Sequence, residues 1–117
     1  MSQLQIFHNP RCSKSRQTLA LLQQQGLQPE IIEYLKTPLS VEKITELVVL
    51  LGFDSARQLL RKGEDAFKQQ KLADPGLSEA ELIKAMHLSP KLIERPIVVH
   101  AGKAVIGRPA QNVLSIL

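Results

Sequence analysis

Leu4-Gln5-Ile6-Phe7-His8-Asn9-Pro10-Arg11-Cys12-Ser13-Lys14-Ser15-Arg16 reads as a strand that runs into a turn and then into a helix. The alternating segment at residues 3–7 is cut by Asn9-Pro10. The periodicity that resumes at Thr18-Leu19-Ala20-Leu21-Leu22 is helical. Cys12, the single cysteine of the chain, therefore stands where a strand ends and a helix begins. The first amides of a helix lack intrahelical partners and carry the positive end of its dipole. A thiolate placed there is stabilised, and so is an oxyanion brought beside it. His8, Arg11, Lys14 and Arg16 all lie within four residues of Cys12, and no acid does. Such a setting lowers a thiol pKa from ~8.5 into a range of about 3.5–7.5. The alternative for a lone cysteine is a small buried hydrophobe. The turn before Cys12 and the hydroxyls and cations around it favour a nucleophile.

Outward from this junction the chain divides into three parts. Residues 13–25 form a helix with Leu19, Leu22 and Leu21 on its apolar face, stopped by Gly26 and Pro29. Ile31-Ile32-Glu33-Tyr34-Leu35 is a second strand, which completes a βαβ unit with parallel strands. A helical stretch follows. Ser40 caps a helix over 41–51, with Val41, Ile44, Leu47, Val48 and Leu51 at helical spacing. Short helices are expected over 55–61 and 64–72, then a turn at Asp74-Pro75-Gly76. Ser78 and Glu81 form a capping box that opens a helix over 79–87. The last part returns to strands. Ile97-Val98-Val99 and Ala104-Val105-Ile106 make an antiparallel hairpin about Ala101-Gly102, and Pro109 starts a closing helix over 109–116. Four strands against helices is an α/β or α+β layer fold, and the 117 residues suit a single domain over 1–117.

Composition narrows the function classes. The chain is 44% hydrophobic, with no tryptophan and four Phe and Tyr residues, so its core is aliphatic. No apolar run is long enough for a membrane span, and no basic-then-apolar leader opens the chain. One cysteine forms no internal disulfide, which fits a reducing cytoplasm. A net charge of +4 suits an anionic substrate. It does not indicate nucleic acid, because no basic tract is interleaved with aromatics. No metal site is expected: His87 and His100 lie apart from His8 and Cys12, with no acidic ligand pattern. His87 reads as a surface histidine at a helix C-terminus, and His100 as a hairpin residue.

Three arginines stand at element boundaries rather than on polar faces: Arg61, Arg95 and Arg108. Arginine binds tetrahedral oxyanions bidentately with a charge it does not lose. His8-Asn9-Pro10-x-Cys12-x-x-Ser15-Arg16 resembles the active-site loop of the glutaredoxin-dependent arsenate reductases. Leu59-Leu60-Arg61-Lys62, Arg95-Pro96-Ile97-Val98-Val99 and Gly107-Arg108-Pro109 follow in that family's order, so the resemblance covers the whole chain. It implies a thioredoxin-like fold: a four-stranded mixed sheet with a helical insertion between an N-terminal βαβ half and a C-terminal ββα half. It implies Cys12 as nucleophile, with His8 and Ser15 keeping its thiolate ionised. Arg61, Arg95 and Arg108 would bind arsenate, and Pro96 would match the cis-proline opposite the active-site cysteine. No bound cofactor is implied. Glutathione would be the co-substrate and glutaredoxin the thiol partner. Apart from the resemblance, a monomer is expected, because no long apolar stripe is left over once the core is assigned.

Two other readings compete. One is a glutathione-linked oxidoreductase of another substrate, although three arginines suit an oxyanion better than a disulfide. A low-molecular-weight phosphatase would need an arginine six residues after the cysteine, where Thr18 stands. The other is an Spx-like regulator that binds RNA polymerase. Many such proteins carry a Cys-x-x-Cys switch, whereas Ser15 occupies the second position here.

Overall fold

A computed structural model describes residues 4–117, which fall into two compact units. The first comprises the chain up to Thr37 together with Arg95–Leu117; the second is Pro38–Glu94. In the first, β1 (Gln5–Phe7), α1 (Ser13–Gln24) and β2 (Glu30–Ile32) precede β3 (Ile97–His100) and β4 (Lys103–Ile106). The sheet order is β2-β1-β3-β4. β1 pairs parallel with β2 and antiparallel with β3, and β3 pairs antiparallel with β4. This is the mixed four-stranded α/β sheet expected from the sequence.

The sheet core follows from alternation along the strands. Ile6 lies opposite Val98, and both are fully buried with Leu22 of α1 and Val113. Leu4, Leu19, Leu21, Leu27, Val105 and Ile116 flank this cluster. Burying each large aliphatic side chain contributes roughly 1.5–3 kcal/mol. Phe7 and Ile97, one residue out of phase with Ile6 and Val98, are buried on the opposite face. Beyond the end of α1, Gly26 has a φ of 77° that lets the Leu27 amide reach back to the Leu22 carbonyl at 3.1 Å. The β3–β4 turn has positive φ at both Ala101 and Gly102, the mark of a type I′ hairpin.

Several element boundaries differ from those read in the sequence. The proposed strand at 3–7 begins at Gln5 among the described residues, and Gln3 lies outside them. The second strand stops at Ile32 instead of Leu35. Its partner sets that limit: the His8 amide donates to the Ile32 carbonyl at 2.8 Å, and β1 then turns away at Asn9-Pro10. Glu33 instead starts a turn, its carbonyl accepting from the Lys36 and Thr37 amides. The closing helix is 3-10, over Ala110–Ile116. Pro109 stands before it with extended backbone, after a cis Arg108–Pro109 bond.

The second unit holds α2 (Val41–Leu50), α3 (Asp65–Gln69) and α4 (Glu79–Leu88), with 3-10 segments at Ala56–Leu59 and Pro90–Leu92. Ser40 caps α2 by accepting from the Lys43 amide at 3.1 Å, and Ser78 and Glu81 form the expected capping box on α4. Ile44, Leu47, Leu59, Leu82, Met86 and Leu92 are fully buried. The helix expected over 55–61 is the 3-10 segment at Ala56–Leu59, because Leu60 turns extended to bridge Ile93. Glu79 ties the start of α4 to the start of the 3-10 segment at Ala56–Leu59. Its carboxylate accepts from the Ser55 hydroxyl and the Ala56 amide, each at 2.6 Å. Those two bonds hold its pKa below the usual carboxylate range. His87 is not merely a surface histidine: its Nδ1–H donates to the Leu39 carbonyl at 2.7 Å and fastens the end of α4 to the chain before α2.

Candidate active site

Cys12 is the N-cap residue of α1, with extended backbone (φ −95°, ψ 121°) and a half-buried side chain. The loop before it is braced at several points. The Cys12 amide donates to the Asn9 carbonyl at 3.0 Å, and the Arg11 amide to Asn9 Oδ1 at 3.0 Å. Arg16 reaches back from the first turn of α1 to the Pro10 carbonyl at 2.9 Å. Asparagine suits this place because its short amide side chain closes a local turn.

The sulfur makes no capping hydrogen bond to α1. It nevertheless sits where the helix favours an anion. Burial alone pushes the Cys12 thiol up. The Ser15 amide, the charge of Arg95, the Lys14 amide and a hydrogen bond from the Arg95 side chain together outweigh burial. The net effect is a pKa below the ordinary thiol value. Arg95 itself is half-buried, with its Nε in the interior, directly before the cis Arg95–Pro96 bond.

His8 and Ser15, which flank Cys12 in the chain, form a buried pair. The Ser15 Oγ is 2.6 Å from His8 Nδ1 and accepts from the Asn9 amide at 3.0 Å. Burial lowers the His8 pKa, the Glu33 carboxylate partly offsets this, and Arg16 lowers it further. The imidazole is therefore neutral near pH 7. A buried hydroxyl must place its proton, and Nδ1 of a neutral imidazole is the acceptor at hand. His8 thus orders the loop through Ser15 and adds no positive charge to it.

This pairing has a pH consequence. The folded His8 pKa is depressed, so the unfolded chain, with imidazole near 6.5, takes up a proton first as pH falls. Stability that is present above about pH 6.5 is then lost as pH falls through the folded His8 value. Urea unfolding between pH 7.5 and 5 should show the wild type losing stability more steeply than His8→Gln. Parallel curves for the two proteins would remove His8 as the cause.

The structure brings His8, Cys12, Ser15 and Arg95 together in the first unit. Arg108 belongs to the same unit. It is exposed, in the turn that leaves β4, where its amide donates to the Ile106 carbonyl at 2.9 Å. Arg61 belongs to the second unit, where it pairs with Glu64 at 2.7 Å and reaches the Lys91 carbonyl at 3.4 Å. Sequence reading missed Glu33, which acts on His8, and Thr18, which is wholly buried on α1. The buried stripe of α1 is Ser15, Thr18 and Leu22, with Leu19 and Leu21 at its margins. That i, i+3, i+7 spacing was the available signal, hidden by two polar residues. Among the described residues no group of three His, Cys, Asp or Glu side chains is placed to hold a metal ion. No helix among them is long and apolar enough to cross a membrane.

Comparison with known proteins places this geometry among relatives. The pattern of the ArsC family matches residues 7–116. The chain is 54% identical to the uncharacterized protein YfgD of Escherichia coli (strain K12), across 98% of this chain and 97% of that one. It is 48% identical to an arsenate reductase of Haemophilus influenzae, across 96% and 97% of the two chains. The solved arsenate reductase of Vibrio cholerae superposes with a TM-score of 0.97 at 49% identity, covering 99% of this chain and 98% of that one.

Proposed function

This chain belongs to the ArsC family, and from that premise we propose that it reduces arsenate to arsenite through a covalent adduct on Cys12, with glutathione and glutaredoxin supplying the electrons. The observation that carries the reading is the Cys12 sulfur, favoured as a thiolate at the start of α1 beside Arg95. Arsenate near neutral pH is an anion, so attack on it by a thiolate needs fixed positive charge and oriented donors. Arg95 and the first amides of α1 supply these at the sulfur, and Arg108 adds a second guanidinium to the oxyanion. His8 and Ser15 hold the loop in which the thiolate forms, and Pro96 braces the site next to Arg95.

The steps balance as follows. The Cys12 thiolate bonds to arsenic(V) and an oxygen leaves as water. A glutathione thiol replaces a second oxygen, again as water, to give a Cys12–arsenic–glutathione species. A glutaredoxin thiolate then attacks the glutathione sulfur. The electron pair of the sulfur–arsenic bond stays on arsenic, which becomes arsenic(III), and the glutathione leaves as a mixed disulfide. Water releases arsenite and returns the Cys12 thiol. With no second cysteine in the chain, the resolving thiols come from outside. The enzyme of this reading is a cytoplasmic monomer without a bound cofactor.

The test is arsenate-dependent NADPH oxidation coupled through glutathione reductase, with glutathione and a glutaredoxin present. Turnover that stops when either glutathione or glutaredoxin is left out supports the whole scheme. Turnover sustained by thioredoxin alone overturns the electron supply. No arsenate-dependent oxidation with any donor overturns the substrate and moves the search to other oxyanions.

A further inference from the structure

Thr18 is fully buried in the helix that Cys12 opens, at a position where an aliphatic residue would pack at less cost. Threonine is also a poor helix former. Its hydroxyl accounts for its presence. Oγ1 lies 3.0 Å from the Lys14 carbonyl and 3.0 Å from the carbonyl of Gly107, at the end of β4. One hydroxyl has one proton to give. Inside α1 the Lys14 carbonyl is also the natural acceptor of the Thr18 amide. Donation to Gly107 therefore leaves neither carbonyl without a donor.

Gly107 is shaped to receive this contact. It is buried, and its amide donates to the Pro96 carbonyl at 2.9 Å. A Cβ there would meet Thr18 Oγ1 at 2.7 Å, Thr18 Cγ2 at 2.8 Å and Pro96 Cγ at 3.1 Å. α1, the end of β4 and Pro96 thus converge on one glycine, and the next residue is Arg108. On its far side Asn112 Nδ2 donates to the Arg108 carbonyl at 3.2 Å.

We infer that Thr18 is a positioning residue: its hydroxyl clasps the Gly107 carbonyl and so fixes the turn carrying Arg108 to the helix carrying Cys12. The consequence for catalysis rests on the reading above, in which Arg108 holds the oxyanion that Cys12 attacks. The clasp itself does not depend on that reading.

The experiment compares the full chain with Thr18→Val, which keeps the shape and removes the hydroxyl, and Thr18→Ser, which keeps the hydroxyl. Hydrogen exchange of the Gly107 amide, which is bonded to the Pro96 carbonyl, reports how firmly the clasp holds that residue in place. The arsenate concentration that halves Cys12 alkylation by iodoacetamide reports anion binding without turnover. Thr18→Val should speed Gly107 exchange and require about tenfold more arsenate, the scale of one lost hydrogen bond. Thr18→Ser should match the wild type in both. The pH midpoint of alkylation should stay the same in all three, since Thr18 does not act on the sulfur. Unchanged Gly107 exchange in Thr18→Val overturns the clasp, as does a Thr18→Ser protein as impaired as Thr18→Val. If Thr18→Val does not fold, Thr18→Ala against Thr18→Ser makes the same comparison. Arsenate that gives the wild type no protection strikes the oxyanion reading instead, and Gly107 exchange still decides the clasp.

Discussion

Cys12→Ser is expected to abolish arsenate-dependent turnover while leaving the protein folded and slightly more stable. The two effects have separate causes. Turnover is lost because the covalent step needs a nucleophile that is largely ionised near neutral pH. A serine hydroxyl at the same site is not, and no residue in the loop is placed to deprotonate it. His8, the histidine of the loop, has its Nδ1 committed to Ser15. The stability gain comes from the N-cap. Cys12 occupies that position with the right backbone and makes no capping hydrogen bond. Serine is among the preferred N-cap residues, and a good cap is worth about 1 kcal/mol. Coupled NADPH oxidation should fall to the enzyme-free rate, and the thermal midpoint should hold or rise. Turnover within about tenfold of wild type would show that Cys12 carries no covalent step, since nucleophile loss costs far more in enzymes of this kind. A lower midpoint would show that the stabilisation the fold draws from the Cys12 thiolate, through Arg95 and the Ser15 and Lys14 amides, exceeds what the serine cap contributes.

Much of this arrangement was legible in the sequence wherever its cause is local. The Asn9-Pro10 turn, the caps at Ser40 and Ser78 and the Ala101-Gly102 hairpin each depend on residues a few positions apart, and each stands where it was read. The readings that changed depend on distant partners. β2 ends at Ile32 because β1 turns away, a limit that Tyr34 and Leu35 do not advertise. The helix at 55–61 shortened because Leu60 pairs with Ile93. The most instructive case is the charge at the thiol. Reading along the chain credits Arg11, Lys14 and Arg16. In the fold Arg16 is spent on the Pro10 carbonyl, and Lys14 acts through its amide. The charge that favours the thiolate belongs to Arg95, which pairing of β1 with β3 brings alongside. Proximity in sequence was thus a poor guide to electrostatics even around the cysteine it singled out.

Arg95 therefore carries the second large expectation. Arg95→Gln removes both a charge and a hydrogen bond from the thiolate, so the pH midpoint of Cys12 alkylation should move up toward the ordinary thiol value. The same side chain serves the oxyanion in the proposed reaction, and loss of one fixed donor of that kind costs roughly 10²–10³ in rate. Arg95→Lys separates the two roles. An ammonium restores charge near the sulfur, and the alkylation midpoint should return part of the way. It does not restore the planar fork that holds an oxyanion through two bonds, so turnover should remain low. The order expected for the alkylation midpoint is wild type, then Lys, then Gln, from lowest to highest. For turnover, both variants should lie well below wild type. A midpoint unmoved in Arg95→Gln would leave the Ser15 and Lys14 amides as the main source of thiolate stability. Turnover fully recovered in Arg95→Lys would mean that Arg95 acts on Cys12 alone, and that the oxyanion is held by other groups.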